Sequence, residues 1–404
     1  MTDGIVLNEA CSEAVVAPGG PPVAADERLP IVLASRRIED VASAWRRFEA
    51  DGVQSPGQSY AFTQLWTESQ RTAEADQLYI SASVDGLPIA LLPLCRRQVG
   101  GVEVLSWFPG THVGCNAPLV DGRRLTQLSS EERRQLWQRM LEAADADLLY
   151  LPSVPVGEVD GVDIFAELGK TVAGDTLYRA SFGSWDEANT TQRNKSRRKH
   201  DRQQGERLEA LGAVTFEELE SGAEAAVVLE QMFRQRADRF RQTGIADPFT
   251  GQVRRFYDAT VAPGSAVQVK LHVLRLEGAV VAVRYNIVLG DRMFCLISSM
   301  SEDSAIQGGS PGKQCLLRVM QLVFDDGTKV FDMGAGFTDE KRHWCNLQLP
   351  LRHHYLALSG KGAAAGWLHR NWTAQRLRIK TNPTLLRLAK SLRSVMPVFS
   401  RIAR

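Results

Sequence analysis

Residues 291–345 gather the side chains whose types and spacing could do chemistry. A β-like run leads to Gln307-Gly308-Gly309-Ser310-Pro311-Gly312-Lys313, then to a helical stretch, then to Phe331-Asp332-Met333-Gly334 and Glu340-Lys341-Arg342-His343-Trp344. A Gly/Pro loop that opens a helix after a strand can turn unpaired backbone N–H groups, and the positive end of the helix dipole, toward a phosphate. Such a loop suits a phosphate-bearing donor, an acyl-CoA among them.

The letters allow a rival. Gly308-x-Ser310-x-Gly312 also fits G-x-S-x-G, in which Ser310 would be a nucleophile. Pro311 opposes that reading, because the residue after the serine must donate its N–H to the oxyanion and proline has none. The preceding Ser301-Glu302-Asp303-Ser304 is polar, not the strand that should run into such an elbow. The same features suit a phosphate loop: glycines permit close approach and positive φ, Ser310 can cap the helix, and Pro311 fits the first helical turn. Gln307, Gly308, Gly309, Ser310, Gly312 and Lys313 are therefore the expected donor-binding residues. A capped helix start without a ligand stays open on these residues alone.

Ser310-Pro311-Gly312 with its helix, Phe331-Asp332-x-Gly334 and Glu340-Lys341-x-x-Trp344 resemble the C-terminal block of the CelD-like GNAT-type acyltransferases, associated with bacterial cellulose and exopolysaccharide synthesis. The run Arg193-Asn194-Lys195-Ser196-Arg197-Arg198 is similar to that family's basic opening helix. The resemblance covers about 178–344 and reaches the first half only by layout. Counting from Gln307, Ser310 stands where the wider superfamily's loop has glycine. A tandem pair of such domains also resembles the Fem-type aminoacyltransferases, which use aminoacyl-tRNA.

The resemblance implies acyl-CoA as donor, no metal, and direct attack of an amine or hydroxyl acceptor on the thioester. An amine of pKa ~10 is about one part in a thousand neutral at pH 7, a cost of about 4 kcal/mol, so a base or a desolvated site is needed. Asp332, at the end of a short strand, and Glu340 and His343 beyond it are the candidate catalytic residues. Asp332 could equally be a structural carboxylate pinning the following turn, and His343 a solvated loop histidine. Lys341 and Trp344 are expected to shape an acceptor pocket. Arg193, Arg197 and Arg198 belong to a run, 193–202, with six Lys/Arg against one acidic residue. This forms a positive rim for the nucleotide end of CoA, a tRNA stem or an anionic glycan. It has no interleaved aromatics, so nucleic acid is not the expected partner.

The elements that must position these residues come in two similar sets. Strands are expected at 77–84, 87–95 and 102–107, with a helix at 131–144 and a strand at 148–151. In the second half, strands at 266–276, 279–289 and 293–299 precede a helix at 313–325 and a strand at 329–332. Helices precede each set, at 41–50 and 61–70, and at 223–243 and 252–261. Asp85-Gly86 and Glu277-Gly278 are the corresponding hairpin turns. The fold class is α/β, expected as two tandem GNAT-like mixed-sheet domains with helices on both faces. The expected divisions are a leader at 1–30, a degenerate N-terminal domain at 31–175, the acyltransferase domain at 176–360 and a basic helical tail at 361–404, the halves joining near 169–178.

Length and composition agree with this division, since 404 residues with 44% hydrophobic and 24% charged side chains exceed one ordinary core. Six scattered cysteines without Cys-x-x-Cys read as buried thiols, and His353-His354 cannot share a metal because strand neighbours face opposite sides. The net charge of +1 hides an asymmetry: ten of the 48 Lys/Arg and no acidic residue lie in 361–404, leaving −9 on the rest. Within the tail, Leu385, Leu388, Leu392, Val395, Met396 and Phe399 recur at helical spacing between basic residues. This tail could dock on the acidic body or touch an anionic membrane or a polysaccharide synthase. A cytoplasmic location, with peripheral contact at the inner membrane surface, is expected, with a small-molecule or glycan acceptor.

Overall fold

The structure, a computed structural model, describes residues 30–244 and 246–381. The leader up to residue 29, Cys11 and the apolar repeat at 385–399 lie outside them. In the first half, β1 (Ile31–Ser35) leads into helices α1 (Ala42–Ala50) and α2 (Tyr60–Gln70). The meander β2 (Gln77–Val84), β3 (Leu87–Val99) and β4 (Val102–Ser106) follows. Next come β5 (Leu119–Val120), α3 (Gly122–Gln127), α4 (Ser130–Glu142) and β6 (Leu148–Pro155), a small ribbon of β7 (Glu158–Val159) and β8 (Val162–Asp163), and β9 (Lys170–Ala180).

The second half repeats this order. Helices α5 (Trp185–Gln192) and α6 (Lys195–Glu209) precede β10 (Val214–Leu219), α7 (Ala223–Thr243) and α8 (Gly251–Thr260). The meander β11 (Val269–Leu276), β12 (Ala279–Leu289) and β13 (Arg292–Met300) is followed by α9 (Ser304–Gln307) and α10 (Pro311–Asp325). Then come β14 (Val330–Ala335), α11 (Asp339–Trp344), β15 (Leu347–Ala357) and α12 (Gly360–Thr381). Both hairpin turns have their expected chemistry. Asp85 and Gly86, like Glu277 and Gly278, all take positive φ, the condition for a two-residue turn whose twist matches its strands.

All these strands except the β7–β8 ribbon form one mixed sheet, in the order β1-β2-β3-β4-β6-β15-β9-β14-β13-β12-β11-β10, with β5 beside β3. The final strand of each half crosses to the other: β15 pairs with β6, and β9 with β14. All but the first residue of the stretch 169–178, expected as a joint, thus lies in β9 at the centre of the sheet. One face carries a core shared by the two halves, in which Trp45, Phe62 and Trp66 from α1 and α2 meet Phe233 and Phe256 from α7 and α8. The Phe62 and Phe256 rings lie 4.8 Å apart and Trp66 and Phe256 4.9 Å apart, in edge-on geometry. On the other face α4 covers the first half around Trp137, and α10 the second around Leu316 and Val319.

The sequence reading gives no bounds for β10 or β15, although it takes His353 and His354 as strand neighbours. Thr215, Glu217 and Glu218 make β10 a polar edge, and Pro350 with two histidines obscures the alternation of β15. The fully buried Leu149 on β6 tests the packing beside the exchanged strand. Leu149→Ala should cost about 2–5 kcal/mol by urea denaturation. A loss under about 1 kcal/mol would show that this junction is loosely packed.

Candidate active site

Two parallel strands part at the centre of the second half. β13 and β14 pair at Arg292–Val330, Met293–Phe331 and Phe294–Asp332. Beyond these pairs β13 continues along β12 to Met300, while β14 follows β9 with a register break after Asp332. The strands therefore diverge into a V. The loop before α10 stands at the end of β13, on one side of it, and α11 follows β14 on the other.

The loop departs from its expected geometry in three ways. The N–H groups of Gly308 and Gly309 donate to the carbonyl of Ile306, and that of Ser310 to Gln307, so three amides expected for a phosphate are used inside the turn. Ser310 itself, not a glycine, takes the left-handed conformation (φ 48°, ψ 62°), and its side chain does not cap α10. Its hydroxyl instead accepts a 2.7 Å hydrogen bond from Gln204 Nε2 on α6. Gly309 is required by α6 as well, since a Cβ there would lie 2.7 Å from that of Leu208. Pro311 does occupy the first turn of α10. Among the described residues, the Gly312 N–H meets no acceptor, and the Lys313 side chain is exposed. A diphosphate would therefore find one free amide at the N-terminus of a 15-residue helix, together with side-chain cations.

Those cations converge. Burial first, then the charges of Arg197, Arg342 and Lys313, pull the His343 imidazole below its ordinary pKa, outweighing Asp339. Arg197 and Lys313, which the sequence put in motifs separate from that of His343, thus lie close enough for their charges to act on its imidazole. Arg284 on β12, not singled out from the sequence, links the loop to α11. Its Nη2 donates to the Gly312 carbonyl at 3.3 Å and to Glu340 Oε2 at 3.2 Å. Burial opposes the Arg284 charge, but Glu340 and two neighbouring thiols outweigh it and raise its pKa. The signal was a lone arginine within the apolar run of a central strand, which must find a carboxylate when buried. Among the described residues, Glu340 Oε1 takes no hydrogen bond. Lys341 reaches the carbonyls of Gly334 (3.3 Å) and Ala335 (2.7 Å), and burial lowers its pKa.

Asp332 is held on both sides. Its Oδ2 accepts from Arg179 Nε at 2.7 Å and its Oδ1 from the Gly334 N–H at 2.7 Å, with the Arg179 and Asp332 side chains only 4% and 5% exposed. Arg179 continues to Gln54, donating to its side-chain and backbone oxygens at 2.6 Å each. Cys115 lies beside this pair, its thiol pushed up to about 12 chiefly by burial. Both carboxylate oxygens of Asp332 already accept a hydrogen bond, which is the structural alternative considered for it. Trp344 is likewise buried: it stacks on Trp185 at 5.9 Å and carries the Arg193 guanidinium at 5.7 Å. Arg193 is buried against Asp201 (2.8 and 3.0 Å), so both residues are engaged within the protein. Arg198 is half-buried and donates to the Asn189 carbonyl at 3.4 Å. Among the described residues no cluster of metal-binding side chains occurs, and the described cysteines are unpaired.

Residues 195–342, from the start of α6 to α11, match the family model for the acetyltransferase (GNAT) domain. The chain carries a GNAT acetyltransferase domain. The enzyme class is accordingly N-acyltransferase, and the GNAT domain contains the loop, Arg284, Asp332 and Glu340. No curated protein matches the chain in sequence. Among solved structures, FemX is 12% identical over 76% of this chain and 93% of its own, with a TM-score of 0.52. The C-terminal domain (DUF2156) of a lysylphosphatidylglycerol synthetase candidate from Agrobacterium fabrum is 13% identical over 82% of this chain and 95% of its own, with a TM-score of 0.50. A tandem GNAT protein from the clavulanic acid biosynthesis pathway is 10% identical over 82% of this chain and 99% of its own, at 0.41. FemX and the DUF2156 domain share the fold of this chain. No described helix is long and apolar enough to cross a membrane.

Arg179→Met, which leaves the Asp332 carboxylate buried without its cation, should destabilise the protein by about 3–5 kcal/mol. Adding Asp332→Asn should recover part of that loss in chemical denaturation. A single-variant loss below about 1 kcal/mol would mean that the pair is solvated in solution.

Proposed function

We propose that the protein moves an acyl group from acyl-CoA to an amine or hydroxyl acceptor, with the donor diphosphate at the N-terminus of α10 and the thioester between β13 and β14. The observation that carries this reading is the parting of these parallel strands beneath a helix N-terminus whose Gly312 amide is free and whose Lys313 lies near enough to His343, as does Arg197, for its charge to act there. Glu340 is the base in this reading. One of its oxygens is fixed by Arg284 and the other is open, so it can take the proton that the acceptor loses as it attacks the thioester carbonyl. No covalent enzyme intermediate is required: the thiolate leaves with the donor as the new amide or ester forms. Asp332 positions β14 and the turn at Gly334 through Arg179, and His343 helps hold the phosphates. The acceptor is a small molecule or a glycan, and a link to polysaccharide synthesis follows from the resemblance of the loop and of 340–344 to CelD-like proteins.

A second reading keeps the fold and changes the donor to aminoacyl-tRNA. It is favoured by a groove of about 720 Å³ between α6 and α10, where Lys195, Lys199 and Arg202 are exposed. Titration with CoA and with charged tRNA at two salt concentrations separates the two, since tRNA affinity should fall steeply with salt. If neither binds, the reading as a non-catalytic scaffold of a synthase gains.

Acetyl-CoA at 100 times its dissociation constant should add about 2.7 kcal/mol and raise the melting temperature. No shift at millimolar acetyl-CoA sinks the donor assignment. Glu340→Gln should lower kcat by about 10²–10⁴-fold with CoA affinity little changed, whereas Lys313→Ala should weaken CoA about tenfold. The pH dependence has a definite sign. His343 has a lowered pKa, so it is neutral at pH 7 and gains a positive charge only as pH falls through a value below its ordinary ~6.5. CoA affinity of the wild type relative to His343→Gln should therefore rise over that acidic window in calorimetric titrations and be level above it.

A further inference from the structure

Helix α12 is docked with its large side chains facing out. It packs through small residues: a Cβ at Gly362 would collide with the Asp147 carbonyl, and one at Gly366 would lie 3.2 Å from Leu148. Ser359 fixes its start, donating to Asp147 Oδ1 at 2.5 Å and accepting from the Gly362 N–H at 3.1 Å. His369 and Tyr355 hydrogen-bond at 3.0 Å on the same side. At 100° per residue Trp367, Leu368, Trp372 and Ile379, which are 59%, 62%, 54% and 37% exposed, spread over an outward arc of about 140° with Asn371, Gln375 and Arg378 between them. A surface helix of a globular protein ordinarily does the reverse, turning its apolar stripe inward. The helix itself carries charge of one sign, because Arg376 and Arg378 are exposed and residues 361–404 hold no acidic residue.

From this face we propose that α12 seats the protein on an anionic phospholipid surface, with Trp367, Leu368 and Trp372 entering the headgroup boundary and the arginines meeting lipid phosphates. Tryptophan favours that boundary because its ring is apolar and its N–H is polar, and basic residues near it add electrostatic attraction. Charge selects this occupant over the chain's own end. Residues 382–404 carry Arg387, Lys390, Arg393, Arg401 and Arg404 and no carboxylate side chain, so they repel the helix but would reinforce its attraction to an anionic bilayer. A second copy presenting the same helix brings the same like charge.

The test uses the full-length protein in flotation with vesicles of phosphatidylcholine alone and with roughly 30% phosphatidylglycerol, at low and high salt. The expected result is binding to the anionic vesicles, weakened by salt. The double change Trp367→Gln with Trp372→Gln should cut partitioning by at least about tenfold, with circular dichroism and melting temperature unchanged. If that variant misfolds, Leu368→Gln alone should still reduce partitioning. Failure to bind the anionic vesicles, equal binding to both compositions, or binding unaffected by these substitutions overturns the proposal. So does concentration-dependent self-association that the same substitutions abolish, which would assign the face to a second copy.

Discussion

A guanidinium and a carboxylate, both nearly removed from water, hold the centre of this molecule. Arg179 lies on β9, the last strand of the first half, and Asp332 on β14, where the parallel pairing with β13 ends. Desolvating either charge alone would cost several kcal/mol, so each is tolerable only with the other in place. Their remaining hydrogen-bonding groups are also engaged, by Gly334 on one side and by Gln54 on the other. The pair therefore does more than join two strands. It determines where β14 turns away from β13, and so where the V begins, and it ties that point to a loop from the first half. Ion-pair geometry, rather than extra apolar area, makes the register at this point specific.

The exchange of final strands gives the same dependence at a larger scale. Because β15 returns to β6 and β9 to β14, neither half closes its own sheet. The aromatic core shared by α1, α2, α7 and α8 lies across the same junction. The first half thus supports the site through contact as well as by covering it. A Cβ at Gly114 would lie 2.8 Å from Gly334 Cα, so the loop of the first half and the turn after Asp332 approach as closely as two glycines allow. Substitutions in that loop would act on the site without touching a substrate.

Much of this was legible in the residues. Meanders with Asp-Gly and Glu-Gly turns, repeated in two halves, carried the mixed α/β layout, and the location of the candidate site followed from a glycine-proline loop before a helix. The failures have physical causes. Glycine in the sequence reads as the sign of phosphate contact, but Gly309 makes room for Leu208, and the positive φ falls on Ser310. A single sequence cannot distinguish a glycine needed by a neighbouring helix from one needed by a ligand. Trp344 and Arg193 sit in stretches with an exposed character, yet they bury each other in a cation–π contact. Their pairing spans 151 positions and has no local signature. Arg284 did leave a trace, as an arginine within an apolar central strand, and that kind of anomaly identifies a buried partner better than a loop motif does.

These corrections alter how a donor would be held. A phosphate loop with several free amides binds largely through backbone dipoles, which are insensitive to side-chain identity. Here the turn uses its own amides at Gly308, Gly309 and Ser310, and the positive field comes instead from one amide and from Lys313 and Arg197, with a neutral His343 beside them. Recognition of that kind is more sensitive to salt, because exposed cations are screened. It also depends on α6, whose Gln204 holds Ser310 in its left-handed state and whose Arg197 contributes charge. The segment marked in the sequence as a positive rim thus has a double part. Its buried members, Arg193 and Asp201, lock the helix in place, and its half-exposed member, Arg197, supplies charge at the mouth.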